Sequence, residues 1–289
     1  MGNEINLLMY LFYYFCNTIK SVNGNVIELN EDLPFSVIRD ITEPSVEDYT
    51  ISVPAQPEIG IVEISVGGIA MGANCKAPGE YAHAEGYGTI AAGKRSHAEG
   101  LNTKTGIHAH SEGQGTRATG YAGHAEGLNS VASGEYSHAE GYGKIEKDGT
   151  DNRTIASGYA AHASGYGTKA LAQAAYTEGY MTKALANHAH AEGNNSIAEG
   201  IDSHAEGQHT KTIGEASHAE GYKTTAQGMR SHAEGYETKA TGIGSHSEGT
   251  VTIAEGPSAH AEGYVTKAIA QATHSEGLGT IAATEAQHV

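Results

Sequence analysis

The residues best suited to chemistry in this chain are a histidine and a glutamate two positions apart, in the tetrapeptide His-Ala-Glu-Gly. Side chains at i and i+2 of a β-strand project to the same side. A neutral imidazole beside a carboxylate can form a hydrogen bond, and both groups are also Zn²⁺ ligands. Twelve repeats keep the pair intact. The histidine position recurs with a period of fourteen, apart from a shorter step after 97 and a longer one after 138, and lies at 83, 97, 110, 124, 138, 162, 176 (a tyrosine), 190, 204, 218, 232, 246, 260, 274 and 288.

We predict that these pairs form a hydrogen-bonded ladder at a subunit interface, because they stay uniform while other outward positions vary freely. The predicted interface ladder comprises His97, Glu99, His124, Glu126, His138, Glu140, His190, Glu192, His204, Glu206, His218, Glu220, His232, Glu234, His260 and Glu262. The alternative is metal binding on a three-fold axis, at His204, Glu206, His218, Glu220, His232 and Glu234. One strand supplies only two ligands, with no cysteine or second histidine alongside, so we expect no metal and no cofactor.

The element that positions these pairs is a 14-residue unit, seen most clearly in Ser217 to Arg230, SHAEGYKTTAQGMR. The period-two alternation of a strand places Ser217, Ala219 and Gly221 on one face, and Thr224, Ala226 and Gly228 on one face of a second strand. Two faces of such small side chains can close on each other. The pattern therefore predicts an all-β solenoid, a parallel β-roll with one coil per repeat.

Other repeat architectures fit the sequence less well. Two glycines in every repeat unit disfavour a helix, and there is no apolar seam for a coiled coil. The Gly-Gly-x-Gly-x-Asp nonapeptide of calcium-binding β-rolls is missing. An ice-binding surface needs an exposed rank of threonines, whereas the regular threonine here is predicted to face inward.

Composition excludes several classes of function. The net charge of −17 disfavours a nucleic-acid partner, since phosphate binding requires clustered Lys and Arg. Cys16 and Cys75 make no disulfide framework. The sequence contains no Gly-x-Ser-x-Gly, P-loop or metalloprotease motif, so we predict that the protein is not an enzyme.

The chain divides into three predicted regions. Residues 1–24 carry an apolar run from Leu7 to Cys16, which is too short to span a membrane and lacks the basic start of a secretory signal. Residues 25–72 contain β-rich runs separated by prolines, and predict a small attachment domain. Residues 73–289 hold the repeats, with a loop insertion at 143–152. The last repeat looks uncapped, which suggests that the chain is a fragment or a processed product.

Ser-x-Ala-x-Gly strands that recur with this period resemble the YadA-like head repeats of trimeric autotransporter adhesins. The His-Ala-Glu-Gly variant also resembles repeats of phage and prophage tail-fibre proteins. The resemblance covers residues 81–289 and implies a left-handed parallel β-roll that assembles as a homotrimer. A roll filled by small residues buries little apolar area, which independently favours association of chains. This chain departs from the adhesin pattern, because His and Glu stand where the adhesins usually carry aliphatic residues.

The expected function is that of a structural, trimeric, extracellular fibre that presents a host-binding surface, most simply a phage or prophage tail fibre attached to the tail or baseplate through its N-terminal domain. The alternative is a bacterial cell-surface adhesin that binds host matrix or glycan, and a third interpretation is a plain spacer. The expected partners are two further copies of the chain and an unidentified host receptor or glycan. Candidate contact residues are Lys144, Glu146, Lys147 and Asp148 in the insertion, and Tyr87, Tyr142, Tyr166, Tyr180, Tyr222, Tyr236 and Tyr264 after the tetrapeptides.

Overall fold

The computed structural model describes residues 19–23, 26–29, 36–39, 49–52, 61–65 and 68–289. Every regular element in this part of the chain is a β-strand. The predicted all-β parallel solenoid with coils of about 14 residues is confirmed. The chain separates into two compact units, residues 1–108 and 109–289. The apolar run from Leu7 to Cys16 lies outside the described residues.

The first unit begins with antiparallel strands and then changes to parallel coils. Each strand from Ile19–Asn23 to Gly68–Ala73 pairs antiparallel with the next, and Gly68–Ala73 also pairs in parallel with His83–Tyr87. The strands are Ile19–Asn23, Val26–Leu29, Ser36–Arg39, Tyr49–Ser52, Ile61–Ser65, Gly68–Ala73, His83–Tyr87, Ile90–Ala91, His97–Leu101 and Lys104–Thr105.

The first coil therefore starts at Gly68, before the predicted boundary at residue 73. In this coil Ile69 pairs with His83 and Met71 pairs with Glu85, so two apolar residues occupy the His and Glu positions. The alternation of burial is the same as in later coils, with Ala70 fully buried between the two. The spacing of His and Glu in the sequence does not identify this coil. What the coil shares with the later ones is the small, buried residue between the two outward positions.

The second unit consists of coils that each contain two strands, of which the first is the longer in nine coils. The first strands are His110–Ser111, His124–Leu128, His138–Tyr142, His162–Tyr166, Tyr176–Tyr180, His190–Asn194, His204–Gln208, His218–Tyr222, His232–Tyr236, His246–Thr250, His260–Ala261 and His274–Ser275. The second strands are Arg117–Ala118, Val131–Ala132, Ile155–Ala156, Lys169–Ala170, Lys183–Ala184, Ile197–Ala198, Lys211–Thr212, Thr225–Ala226, Lys239–Ala240, Ile253–Ala254, Lys267–Ala268 and Ile281–Ala282. Each strand pairs in parallel with its counterpart in the next coil, so equivalent residues stack.

The core of each coil is built from alanine, serine and threonine. Ala219 and Ala226 are fully buried and pack with the equivalent alanines of the next coil, Ala233 and Ala240. Thr224 is also fully buried, so the regular threonine faces inward as predicted. Small side chains are required because the two strands of a coil face each other across a narrow interior.

Serine closes one turn of the coil. Ser217 Oγ donates to the carbonyl of Gly214 at 2.7 Å, and Ser231 and Ser245 make the same bond at 2.6 and 2.8 Å. The hydroxyl thus satisfies a turn carbonyl that the parallel ladder leaves available. The same bond is made in all six repeats in which serine precedes the histidine.

One detail of the predicted alternation is wrong. Gly221 was expected on the inward face beside Ala219, but it is exposed and has φ of +104°. A Cβ at this position would lie 2.3 Å from the carbonyl oxygen of Gly235 in the next coil. The glycine is therefore needed because its backbone has positive φ and because the next coil lies close to it. The alternation of inward and outward residues ends at this position.

Candidate functional site: the histidine–glutamate face

The first strand of each coil places its histidine and glutamate on the outer face, on either side of a buried alanine. In His218–Tyr222, Ala219 is fully buried, whereas the side chains of His218 and Glu220 are 37% and 41% exposed. Parallel register sets each histidine over the next one and each glutamate over the next one. We call this outer face the His–Glu ladder, and its longest run in the second unit extends from His190 to Glu276.

The imidazoles of this run form a continuous stack. Ring centroids of successive histidines are 4.4 to 4.9 Å apart, with interplanar angles of 3° to 14°. This spacing matches the rise of about 4.8 Å between neighbouring strands. The stack is therefore a direct consequence of the repeat period.

The histidine and glutamate of one strand approach each other without forming a hydrogen bond. His218 Nε2 lies 3.6 Å from Glu220 Oε2, and the equivalent distance is 3.3 Å for His190 and Glu192 and 3.9 Å for His274 and Glu276. These distances exceed the usual 2.7 to 3.2 Å of an N–H···O bond. Nε2 of His204, His218, His232, His246 and His260 is buried and has no hydrogen-bond partner within the described residues. These five imidazoles therefore donate no Nε2 hydrogen bond to a carboxylate of the described residues.

The ladder also stacks like charges. Glu206, Glu220 and Glu234 lie on successive paired strands, and no Lys or Arg occupies a His or Glu position in any repeat. Two carboxylates about 5 Å apart repel by roughly 1 kcal/mol in water and by about 3 kcal/mol at an effective dielectric constant of 20. Covering this face would therefore require a compensating positive charge.

The ladder is interrupted where Ser164 replaces a glutamate and Tyr176 replaces a histidine. Ser164 Oγ donates to Glu140 at 2.9 Å, and the Tyr176 hydroxyl donates to Glu178 at 3.0 Å. The bond from Ser164 lowers the pKa of Glu140. Burial, and then the shared hydrogen bond with Glu140, raises the pKa of the neighbouring Glu126. At the interruption, hydroxyl groups thus donate hydrogen bonds to two of the ladder carboxylates.

Two histidines have lowered pKa values. Burial is the main cause for both, followed by the like charge of the stacked neighbours, which are His124 and His162 for His138, and His190 and His218 for His204. Glu140 opposes the shift at His138, and Glu192 and Glu206 oppose it at His204. At these two positions the surroundings favour the neutral imidazole, the form that can accept a proton or bind a metal ion.

The comparisons with known proteins match one short stretch of the repeats. The family description that matches is the YadA head domain repeat, in two copies within residues 125–143. These are YadA-like head repeats. Among curated proteins, none matches the chain. Repeats of this kind form structural, adhesin-like fibres, and the prediction that the chain is not an enzyme is consistent with that class.

The insertion between two YadA-like coils folds as a small hairpin. Ile145 and Asp151 pair antiparallel, and Arg153 binds both carboxylate oxygens of Asp151, at 2.9 and 2.7 Å. The Arg153 guanidinium holds the pKa of Asp151 at about 2. Lys144 and Glu146 form an ion pair at 3.1 Å, whereas Lys147 and Asp148 are exposed near the tip. The four predicted contact residues are thus brought together on one protrusion.

The tyrosines that follow the tetrapeptides stack along the coil edge. Tyr142, Tyr166 and Tyr180 stack at 5.3 and 5.0 Å, and Tyr222 stacks on Tyr236 at 5.1 Å. Tyr87 and Tyr264 occupy the same position in coils whose neighbours carry other residues, and both are exposed. The stacked tyrosines therefore pack against one another from coil to coil, and they remain partly accessible to solvent.

Sequence reasoning missed two features of the surface. Tyr121, Tyr136 and Tyr159 form an edge-to-face cluster at the opposite turn, with centroids 5.6 and 5.4 Å apart. His188 Nδ1 lies 2.9 Å from Asp202 of the next coil. The contact between His188 and Asp202 follows from the coil register, since both residues lie two positions before a ladder histidine. The three tyrosines lie two or three positions before their histidines, so they meet at the same turn without being strictly equivalent. No described residue belongs to a helix long and apolar enough to cross a membrane.

Proposed function

We propose that this chain forms a homotrimeric extracellular fibre whose three rolls meet along the His–Glu ladder. The observation that carries the proposal is the ladder itself, a uniform and half-buried face on which Nε2 of His204, His218 and His232 finds no hydrogen-bond partner among the described residues. The first coil supports it, because apolar Ile69 and Met71 occupy the same face. Polar groups left without partners favour association that supplies them.

We place the fibre on a phage or prophage virion, where it would present a host-binding surface. The support for this origin is the His-Ala-Glu-Gly variant, which departs from the aliphatic adhesin strand. The second candidate is a bacterial cell-surface adhesin, and the match to the YadA head domain repeat favours it. Under either origin the exposed hairpin tip at Lys147 and Asp148 is the proposed receptor contact.

The first test is the solution mass of the full chain by light scattering at pH 7.5. A mass of three chains supports the fibre, whereas a folded monomer would overturn it.

Disulfide trapping then tests where the chains meet. In a Cys16→Ser background, Glu220→Cys should cross-link between chains under mild oxidation. Gln227→Cys is the matched control, because Gln227 is exposed on the second half of the same coil and should stay monomeric in denaturing gels. Cross-linking of Gln227→Cys alone would place the interface on the other face.

Binding assays separate the two origins. Labelled protein that binds whole bacterial cells supports the virion fibre, and binding to matrix proteins or to a glycan array supports the adhesin. Substitution of Lys147 and Asp148 by alanine should weaken whichever binding is observed. Binding that is unchanged by these substitutions would move the receptor contact away from the hairpin.

A further inference from the structure

We propose that the His–Glu ladder is a linear array of binding sites for divalent transition-metal ions such as Zn²⁺ or Co²⁺. Each site takes the histidine and glutamate of one coil and the histidine of the next. The ligand atoms of His204, Glu206 and His218 all lie within 4.8 Å of one another, as do those of His218, Glu220 and His232. Imidazole nitrogen with carboxylate oxygen suits these ions. One chain supplies each site, so the inference does not depend on the trimer.

The distances within a coil already suit a shared ion. Bonds of about 2.0 to 2.2 Å in a tetrahedral site separate the ligand atoms by roughly 3.4 Å. The Nε2–Oε2 distance is 3.3 Å in the His190–Glu192 pair and 3.6 Å in the His218–Glu220 and His232–Glu234 pairs. These separations are too long for a hydrogen bond, but they match the edge of a metal coordination tetrahedron.

The stack of rings determines how many ions can bind. The rings of His218 and His232 are 4.9 Å apart and nearly parallel, so the second ring must tilt toward the first to bring its nitrogen to the same ion. A histidine that gives its Nε2 to one ion cannot give the same atom to another. The array is therefore expected to bind one ion for every two coils.

The charges of the ladder also favour a divalent cation. Nε2 of His204, His218 and His232 is buried without a hydrogen-bond partner in the described structure, and the glutamates stack with no Lys or Arg in the ladder positions. A divalent cation would bind the nitrogen lone pair and neutralise the neighbouring carboxylates together. The interruption supports this interpretation, because Ser164 and Tyr176 remove metal ligands at the place where hydroxyls already satisfy the carboxylates.

The test is Co²⁺ binding to the full-length, untagged chain, measured by visible absorption and by equilibrium dialysis with metal analysis. We expect saturable binding near one ion for every two intact coils, and displacement of Co²⁺ by Zn²⁺. Replacing Glu192, Glu206, Glu220, Glu234, Glu248 and Glu262 together by glutamine keeps side-chain shape and should weaken binding in this run by roughly tenfold or more. Co²⁺ binding that is equal in the wild type and the glutamine variant would overturn the proposal.

Two matched variants guard against misfolding and against binding by unrelated surface groups. His218→Ile with Glu220→Met copies the residues of the first coil, so it should fold with an unchanged circular dichroism spectrum and lose sites. His209→Asn, off the ladder, should leave the number of bound ions unchanged. If His209→Asn lowers the number of bound ions as much as the ladder variants, the bound metal is only surface binding and the proposal fails.

Light scattering with and without EDTA separates this inference from the proposed fibre. Metal binding by a monomer supports the array and contradicts the trimer. A trimer without bound metal supports the fibre and contradicts the array.

Discussion

The inner and outer faces of the first strand are equally uniform, but for different physical reasons. Ala219 stacks between Ala205 and Ala233, and all three are fully buried, so packing inside one chain accounts for their uniformity. His218 stacks between His204 and His232 in the same register, yet its Nε2 has no hydrogen-bond partner in the described chain. Repetition on the inner face is explained by the fold, whereas repetition on the ladder is what the proposed partner chains or metal ions would explain.

The largest effect is expected from enlarging the inner face. Ala219→Val adds two methyl groups in a fully buried position between stacked alanines. Overpacking of this kind costs about 1 to 3 kcal/mol of unfolding free energy. The matched control is Thr225→Val on the outer side of the second strand, where Val131 stands in another coil. Thermal unfolding followed by circular dichroism should show a lower midpoint for Ala219→Val alone, and equal midpoints would contradict a tightly packed interior.

A smaller effect is expected from the serine that closes the turn. Ser217→Ala removes the 2.7 Å bond to the Gly214 carbonyl and should cost about 1 kcal/mol of stability. The converse variant is Ala189→Ser, in a coil where alanine occupies the serine position. Ala189→Ser should raise the unfolding midpoint, and a loss of stability in that variant would argue against the turn bond.

The smallest effect should come from acidifying the ladder in EDTA. The pKa values of His138 and His204 are lowered in the folded chain. The unfolded chain, with an ordinary histidine pKa of about 6.5, therefore binds more protons as the pH falls. The stability supplied by neutral imidazoles is therefore complete above that value and is lost as the pH falls below it.

Melting curves at pH 7.5 and pH 5 measure this loss. His204→Tyr, which copies Tyr176, should reduce the difference between the two curves. Identical curves for the wild type would mean that the ladder is not desolvated in the native state.

The fold was predictable because its rules are local and repeated. Period-two alternation with inward Ala and Thr, as in Thr224 and Ala226, predicts the roll directly. The conformation at Gly221 was not predictable in the same way, because its close approach to Gly235 depends on how successive coils stack. The first coil could not be recognised from the repeat motif, because the apolar residues Ile69 and Met71 stand at its His and Glu positions.

The residues of the candidate site were predictable from the sequence, but their hydrogen bonding was not. Spacing alone placed His and Glu on one outward face, and the coil register then aligned them into a stack. The missing hydrogen bonds depend on differences of a few tenths of an ångström in Nε2–Oε2 distances, which no pattern of residue types encodes. The pairing of Ser164 with Glu140 likewise requires knowing that these two residues are neighbours across the insertion.

The hairpin at 143–152 shows how such a protein can change in evolution. His138 pairs with His162 in the same register in which His124 pairs with His138, although the whole insertion lies between His138 and His162. Duplication or loss of a whole repeat, and the growth of a loop between repeats, therefore leave every neighbouring contact intact. Unequal recombination between near-identical repeats could lengthen or shorten this molecule in single-coil steps, while its protrusions diversify independently of the coils that carry them.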